Sequence, residues 1–381
     1  MRTAIYTLTS ELHNEQAVNA ATQEFLDSLH LDCDFCGDDF SDYGHHSLDL
    51  IYVRTGGTEG IFLRLLPELL KMSDRPFRLL TSGKSNSLAA SMEILSYLRQ
   101  HHLQGEILHG SPQYISSRIH LLAKSEDARR SLKGTRLGVV GKPSDWLISS
   151  DVDAELVKQK FGIELVQLPL PTIEEAIDGG TDGAMRIYQH LQELVRNNQL
   201  QGFTIRCFDL LKTLHNTGCL ALAKLNAEGI VAGCEGDVPA LLSMAFANAI
   251  TGVSGFQANP ARIDPETGEL LFAHCTIPLN MVERYDLDTH FESGIGVGIR
   301  GYMKPESVTI FKLAPDLSTH FVAEGQLVRN QAAPDLCRTQ QVIQLDDPQQ
   351  ARYFLTRPIG NHHIIMPGQQ KKVIEAILGE C

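Results

Sequence analysis

Apolar and polar positions along the first third of the chain alternate between strand-like and helix-like spacing. Ala4–Leu8 is a short apolar run, and Glu15–Leu29 repeats apolar residues at helical intervals. Leu48–Val53 predicts a strand entering Arg54-Thr-Gly-Gly-Thr-Glu59, and a helical stretch follows with Ile61, Leu63, Leu65, Leu66, Leu69 and Leu70. Phe77–Leu80 leads into Thr81-Ser-Gly-Lys-Ser-Asn-Ser87 and a helix to about His101, with Glu106–Leu108 as the next strand. This alternation predicts a parallel, doubly wound sheet.

A polar stretch, Lys124–Thr135, separates a second unit of the same kind. Its strands are Leu137–Gly141, Ile163–Leu168 and Gly229–Cys234; its helices are Asp153–Phe161 and Ala184–Asn197. Asp237-Val-Pro239 opens an apolar helix that Gly252 ends, with Asp as cap and Pro in the first turn. From 269 to 345 the pattern changes to short alternating runs punctuated by Gly and Pro, which predict an antiparallel sheet or small barrel. A last helix, Gln369–Leu378, stops at Gly379. The expected architecture is α/β: two doubly wound units, 1–133 and 134–252, followed by a β-rich, barrel-like domain, 253–381.

Composition narrows the function classes. The 381 residues carry 33 basic and 46 acidic side chains, a net charge of −13, which argues against a nucleic-acid partner. No apolar run approaches the ~18 residues of a membrane span, and the first residues do not form a signal sequence. The expectation is a soluble cytoplasmic protein. Of the eight cysteines, Cys33-Asp-Phe-Cys36 has CxxC spacing, but no second pair completes a zinc site and the acidic flanks disfavour a reactive thiolate. Reduced thiols are expected.

Two glycine motifs fail on context. Gly296-Val-Gly-Ile-Arg-Gly301 matches GxGxxG, but a β-patterned run follows where a phosphate-binding helix should begin. Gly83-Lys-Ser85 lacks the first glycine of a phosphate loop, since that position is Arg78. A nicotinamide-dependent dehydrogenase is therefore the weakest reading.

Three polar positions stand where chemistry can occur. Glu235, in Cys234-Glu-Gly-Asp237, sits where an apolar strand meets a helix, the edge at which α/β sheets bind ligands. Asp237 is explained as a helix cap; for Glu235 the bland alternative is pairing with a buried Arg. His274 shares a strand face with Leu270, Phe272 and Thr276, a pattern that alone suits a hydrogen-bonded core histidine. In Gly360-Asn-His362-His363 only one of the adjacent histidines can face a site. One Glu and two His form a plausible divalent-metal set.

These blocks resemble the L-fucose isomerase family, with its L-arabinose isomerase relatives, and more closely its short, fucose isomerase-like branch. Asn259-Pro-Ala-Arg-Ile-Asp264, Thr289–Gly298, Val322-Ala-Glu-Gly325 and Arg54–Glu59 are similar to that branch, and the likeness is strongest from about 228 to 378. It implies aldose–ketose isomerisation of an open-chain sugar through a cis-enediol at a Mn²⁺-type centre. It implies that Glu235 is metal ligand and acid/base, that His362 is the terminal ligand, and that His274 lines the site. Asn259, Arg262, Thr276, His290 and Glu292 are the expected sugar-binding residues. A ligand aspartate of the long fucose isomerases has no acidic counterpart in Gly255–Asn259, so Asn259 and Asp264 are the candidates to replace it. The resemblance also implies a homo-oligomer, trimer or hexamer, whose sites are completed by a neighbour's N-terminal loops. The competing readings are a non-catalytic or regulatory sugar-binding protein on the same fold, and an epimerase or an isomerase of a modified sugar.

Overall fold

The computed structural model describes residues 2–173 and 177–379. The chain divides into two compact units, Met1–Asp127 and Ala128–Cys381. The first holds a five-stranded parallel sheet of β1 (Thr3–Leu8), β2 (Cys33–Gly37), β3 (Leu48–Val53), β4 (Phe77–Leu80) and β5 (Gly105–Leu108). Its order, β2-β1-β3-β4-β5, is that of a doubly wound sheet with its switch point between β1 and β3. Apolar residues cover both faces: Ile51, Val53 and Leu79 on one, Leu50, Tyr52 and Leu80 on the other. That two-sided burial is why its strands read as continuous apolar runs rather than alternating ones.

The second unit repeats the device with four strands, β6 (Arg136–Val140), β7 (Glu164–Leu168), β8 (Gly202–Ile205) and β9 (Val231–Cys234), in the order β7-β6-β8-β9. A closed barrel follows in the same unit, ordered β10-β11-β16-β15-β14-β17. Its strands are β10 (Phe256–Ile263), β11 (Glu269–His274), β14 (Ser307–Leu313), β15 (His320–Gln331), β16 (Thr339–Leu345) and β17 (His363–Pro367). A two-stranded ribbon, β12 (Arg284–Asp288) with β13 (Gly298–Tyr302), forms a separate sheet that packs on the barrel, Ile299 of β13 joining its core. Residues 134–252 and 253–381 thus share one compact unit, because Leu220 and Ala223 of the helix Cys219–Ala227 pack into the barrel's own core with Phe256, Ile299 and Ile343.

The stretch expected as a polar separator is part of a helix, Pro112–Leu132. The GxGxxG segment opens β13 instead of a helix, with Gly296 in the left-handed region and Gly301 against Ile277 and Val282. Helix Val238–Thr251 is almost wholly buried, begins at the Asp237 cap and ends at Gly252, as its sequence predicts.

Candidate active site

The turn from β9 into the helix Val238–Thr251 builds the site. Glu235 has φ 64° and Gly236 φ 72°, so two successive residues adopt the left-handed region. For glutamate that conformation is uncommon and costs energy, and such strain clusters at functional sites. Gly236 is needed twice over: a Cβ there would lie 2.6 Å from the Lys142 carbonyl oxygen. The segment after β6 is therefore pressed onto this turn. Ser144 N–H donates to the Glu235 carbonyl (2.9 Å), and the Trp146 indole N–H donates to Glu235 Oε2 (2.7 Å). Arg206, after β8, pins the same segment through the Pro143 carbonyl and both oxygens of Asp145.

The barrel supplies the opposite wall. β10 pairs with β11 and β17, with Asn259 opposite Ala273 and Ala258 opposite His363, so His274 and His362 come from neighbouring strand ends. His362 Nε2 lies 3.4 Å, and His274 Nε2 3.6 Å, from the same atom, Glu235 Oε1. Each imidazole is oriented from behind. His362 Nδ1–H donates to Asp237 Oδ2 (2.9 Å), and His274 Nδ1 hydrogen-bonds Thr276 Oγ1 (2.9 Å). Asp237 caps its helix through Oδ1 to Ala240 N–H, while Oδ2 also meets the buried Lys312 ammonium at 3.4 Å. The cap expected from sequence is therefore the lesser half of what Asp237 does.

Burial opposes charge here, yet the groups hold one another ionised. Burial favours a neutral Glu235, but the two imidazoles outweigh it and keep its pKa well below the usual range. Burial likewise disfavours a charged His362, but the carboxylates of Glu235 and Asp237 raise its pKa to about 9. His363 points the other way, into an aromatic cluster with Phe272, Phe321 and Phe354, and bonds the Tyr353 hydroxyl; burial, then Lys312, pushes its pKa down to about 3. Of the two adjacent histidines, His362 is the one that faces Glu235.

These residues fit a divalent cation. His362 Nε2 is buried with no well-formed hydrogen bond, its Nδ1 is taken by Asp237, and it faces a carboxylate oxygen. Carboxylate–histidine pairs of this kind orient metal ligands in many sites. Two imidazole nitrogens and one carboxylate oxygen converge, and Cys234 Sγ, a Glu235 oxygen and a His274 nitrogen lie within 4.8 Å of one another.

An open cleft lies beside Glu235 and His274, with Asn259, His290 and Glu292 on its walls. Asn259 is half-buried and accepts from Asn361 Nδ2 (3.1 Å). His290 stands edge-on to Phe208, which stands edge-on to Trp146; burial, then His274, holds its pKa down at about 4. Two expectations are corrected. Asp264 is exposed in the β10–β11 turn, where its carboxylate accepts from the Glu266 and Thr267 N–H groups, so it does not replace the ligand aspartate. Arg262 is also exposed, facing Asp335, and does not line the cleft. Thr276 is buried, and its hydroxyl bonds the His274 ring. Trp146, Lys312 and Gln257, whose amide oxygen accepts from Cys234 N–H (2.8 Å), belong to the site and carried no spacing signal.

No protein-family model matches the chain. Curated relatives are sulfoquinovose isomerases. The protein of Clostridium sp. (strain MSTE9) is 23% identical over 239 residues, covering 54% of this chain and 53% of its own. That of Alkalicoccus urumqiensis is 22% identical over 219 residues, covering 50% and 49%. That of Priestia aryabhattai is 22% identical over 275 residues, covering 63% and 62%. These relatives are sugar isomerases. The chain spans about half to three fifths of their length.

Proposed function

We propose that the protein is an aldose–ketose isomerase that interconverts an open-chain sugar through a cis-enediol. The observation that carries this reading is the convergence of His274 and His362 on one oxygen of Glu235, a residue of the cleft wall. The sugar-isomerase names of the relatives support it.

Glu235 is the group that moves the proton. Its carboxylate is ionised, so it accepts the proton from C2 of the aldose and returns it at C1. Trp146 holds Oε2 and the imidazoles hold the Oε1 side, which fixes the carboxylate plane. Asn259, His290 and Glu292 line the cleft and would meet sugar hydroxyls. Glu235, His274 and His362 would hold a Mn²⁺-type ion, with Asn259 as a neutral oxygen donor beside them. Such an ion, when bound, polarises the carbonyl and acidifies the neighbouring hydroxyl and C–H. The assembly is a homo-oligomer.

The test is a panel of aldoses, sulfoquinovose among them, incubated with the protein and Mn²⁺ in D₂O and followed by NMR. Ketose carrying solvent deuterium at C1 supports the enediol route. Saturable binding of a sugar with no ketose and no exchange overturns it in favour of a sugar-binding protein.

A further inference from the structure

Five of the eight cysteines, Cys207, Cys219, Cys234, Cys275 and Cys337, line the cleft beside Glu235. The isomerase reading uses none of them. Cys33 and Cys36, the pair that the sequence pattern singles out, lie three positions apart on β2, roughly 10 Å of extended chain. That is beyond the reach of a disulfide. One close pair is separated by 27 positions in the sequence: the Sγ atoms of Cys207 and Cys234 are 3.0 Å apart.

The fold explains the approach. Cys234 is the last residue of β9, whose neighbour β8 ends at Ile205, directly opposite it. Two residues on, Cys207 N–H donates back to the Ile205 carbonyl (2.8 Å), which folds the chain over so that Cys207 turns toward β9. Cys234 is fixed in turn by Gln257, which receives its N–H. Both cysteines are buried from bulk solvent but form part of the cleft wall, so a small reagent entering the cleft reaches them. A disulfide requires the sulfurs to close from 3.0 Å to about 2.05 Å.

We propose that Cys207 and Cys234 are a reversible disulfide site, formed when a small two-electron oxidant such as hydrogen peroxide enters the cleft. One sulfur attacks a peroxide oxygen; the O–O bond breaks, its thiol proton passes to the departing hydroxide, and a sulfenic acid and water result. The second thiol then attacks the sulfenic sulfur. The S–S bond forms, the S–OH bond breaks, and the hydroxyl leaves with the second thiol proton as water. The two thiols lose two electrons and the peroxide gains them. A thiol reductant reverses the change by exchange.

Cys234 is the residue before Glu235, and its sulfur lies within 4.8 Å of the Glu235 carboxylate and the His274 ring. Forming the bond to Cys207 removes that thiol from the cluster. The oxidised protein therefore presents a changed cluster at the same wall of the cleft. The disulfide stands on the thiol geometry alone, whether or not the isomerase reading holds.

The fully reduced protein, treated with a small excess of hydrogen peroxide, alkylated and digested, should yield a peptide pair joined through Cys207 and Cys234. It should be two hydrogens lighter than the sum of its free peptides and be released by dithiothreitol. Cys207→Ser and Cys234→Ser should each lose the pair and leave the remaining cysteine as a sulfenic acid that dimedone traps. Full alkylation of both residues after oxidation overturns the proposal. So does a disulfide at Cys275–Cys337 or Cys33–Cys36 with Cys207 and Cys234 left free. The wild-type experiment decides the matter even if a serine variant fails to fold.

Discussion

Glu235 is where strain, charge and position meet in one residue. Its left-handed backbone is held by Gly236 behind it and by the Ser144 N–H on its carbonyl. Its side chain is held by Trp146 and two imidazoles. Glu235→Gln changes neither shape nor backbone but removes the proton acceptor. Turnover should fall by at least ~10²–10⁴-fold, the usual worth of a general base, with an unchanged circular dichroism spectrum. Activity near that of the wild type removes Glu235 from the mechanism. Trp146 is the only tryptophan, and half its surface is exposed although its N–H is bound. Trp146→Phe keeps a ring against Phe208 and deletes one hydrogen bond to a carboxylate, a bond worth about 1.5–3 kcal/mol. We expect kcat to drop by roughly ten- to a hundredfold on that scale, with a smaller change in KM. In the wild-type protein, the single-tryptophan emission should shift on Mn²⁺ addition, and in Glu235→Gln the shift should be weakened. An emission spectrum indifferent to both would detach Trp146 from the site.

At the scale of elements, what could be read in the sequence follows from periodicity. Helix Glu15–Leu29 declares itself because burial on one face imposes a regular pattern, and strand Leu48–Val53 because burial on both faces leaves a short continuous apolar run. Helix Cys219–Ala227 does not, since seven of its nine residues are buried and no polar face marks its period. β8, only Gly202–Ile205, is too short to show a period at all. The site was partly legible for the same reason: Glu235, His274 and His362 stand out as polar residues on apolar backgrounds, whereas Trp146 and Lys312 join them only through tertiary contact. Asp264 shows the limit of inference by proximity in sequence. Five residues along β10 from Asn259, roughly 15 Å at about 3.3 Å per residue, it serves the hairpin turn. Asp264→Asn should leave Mn²⁺ affinity unchanged in a calorimetric titration; a tenfold loss would show that the carboxylate reaches the site after all. Lys312, on β14, answers Asp237 from inside the fold. Lys312→Met leaves that buried carboxylate with one fewer counter-charge, and breaking a buried pair costs on the order of 3–5 kcal/mol. Urea unfolding should register the loss as a lower midpoint with the same slope.

At the scale of the whole molecule, the described site residues all belong to the unit from Ala128 to Cys381. The loops Arg54–Glu59 and Thr81–Ser87 of the first unit hold each other through Gly56 N–H to the Ser85 carbonyl (2.7 Å), with Ser85 and Asn86 both in the left-handed region. Both loops follow strands at the carboxyl edge of the parallel sheet, where folds of this kind place their binding contacts. In the proposed homo-oligomer, that contact is with a neighbouring copy. Each copy carries a net charge of −13, so association works against repulsion. Salt relieves it: the Debye length falls from about 30 Å at 0.01 M to about 8 Å at 0.15 M. Light scattering should therefore give three or six times the chain mass of 42.1 kDa at 0.15 M salt and micromolar protein. It should give a smaller average mass at 0.01 M, with activity falling in parallel if neighbouring loops complete the cleft. A stable monomer at 0.15 M that turns over sugar at full rate would mean that one chain closes its own site.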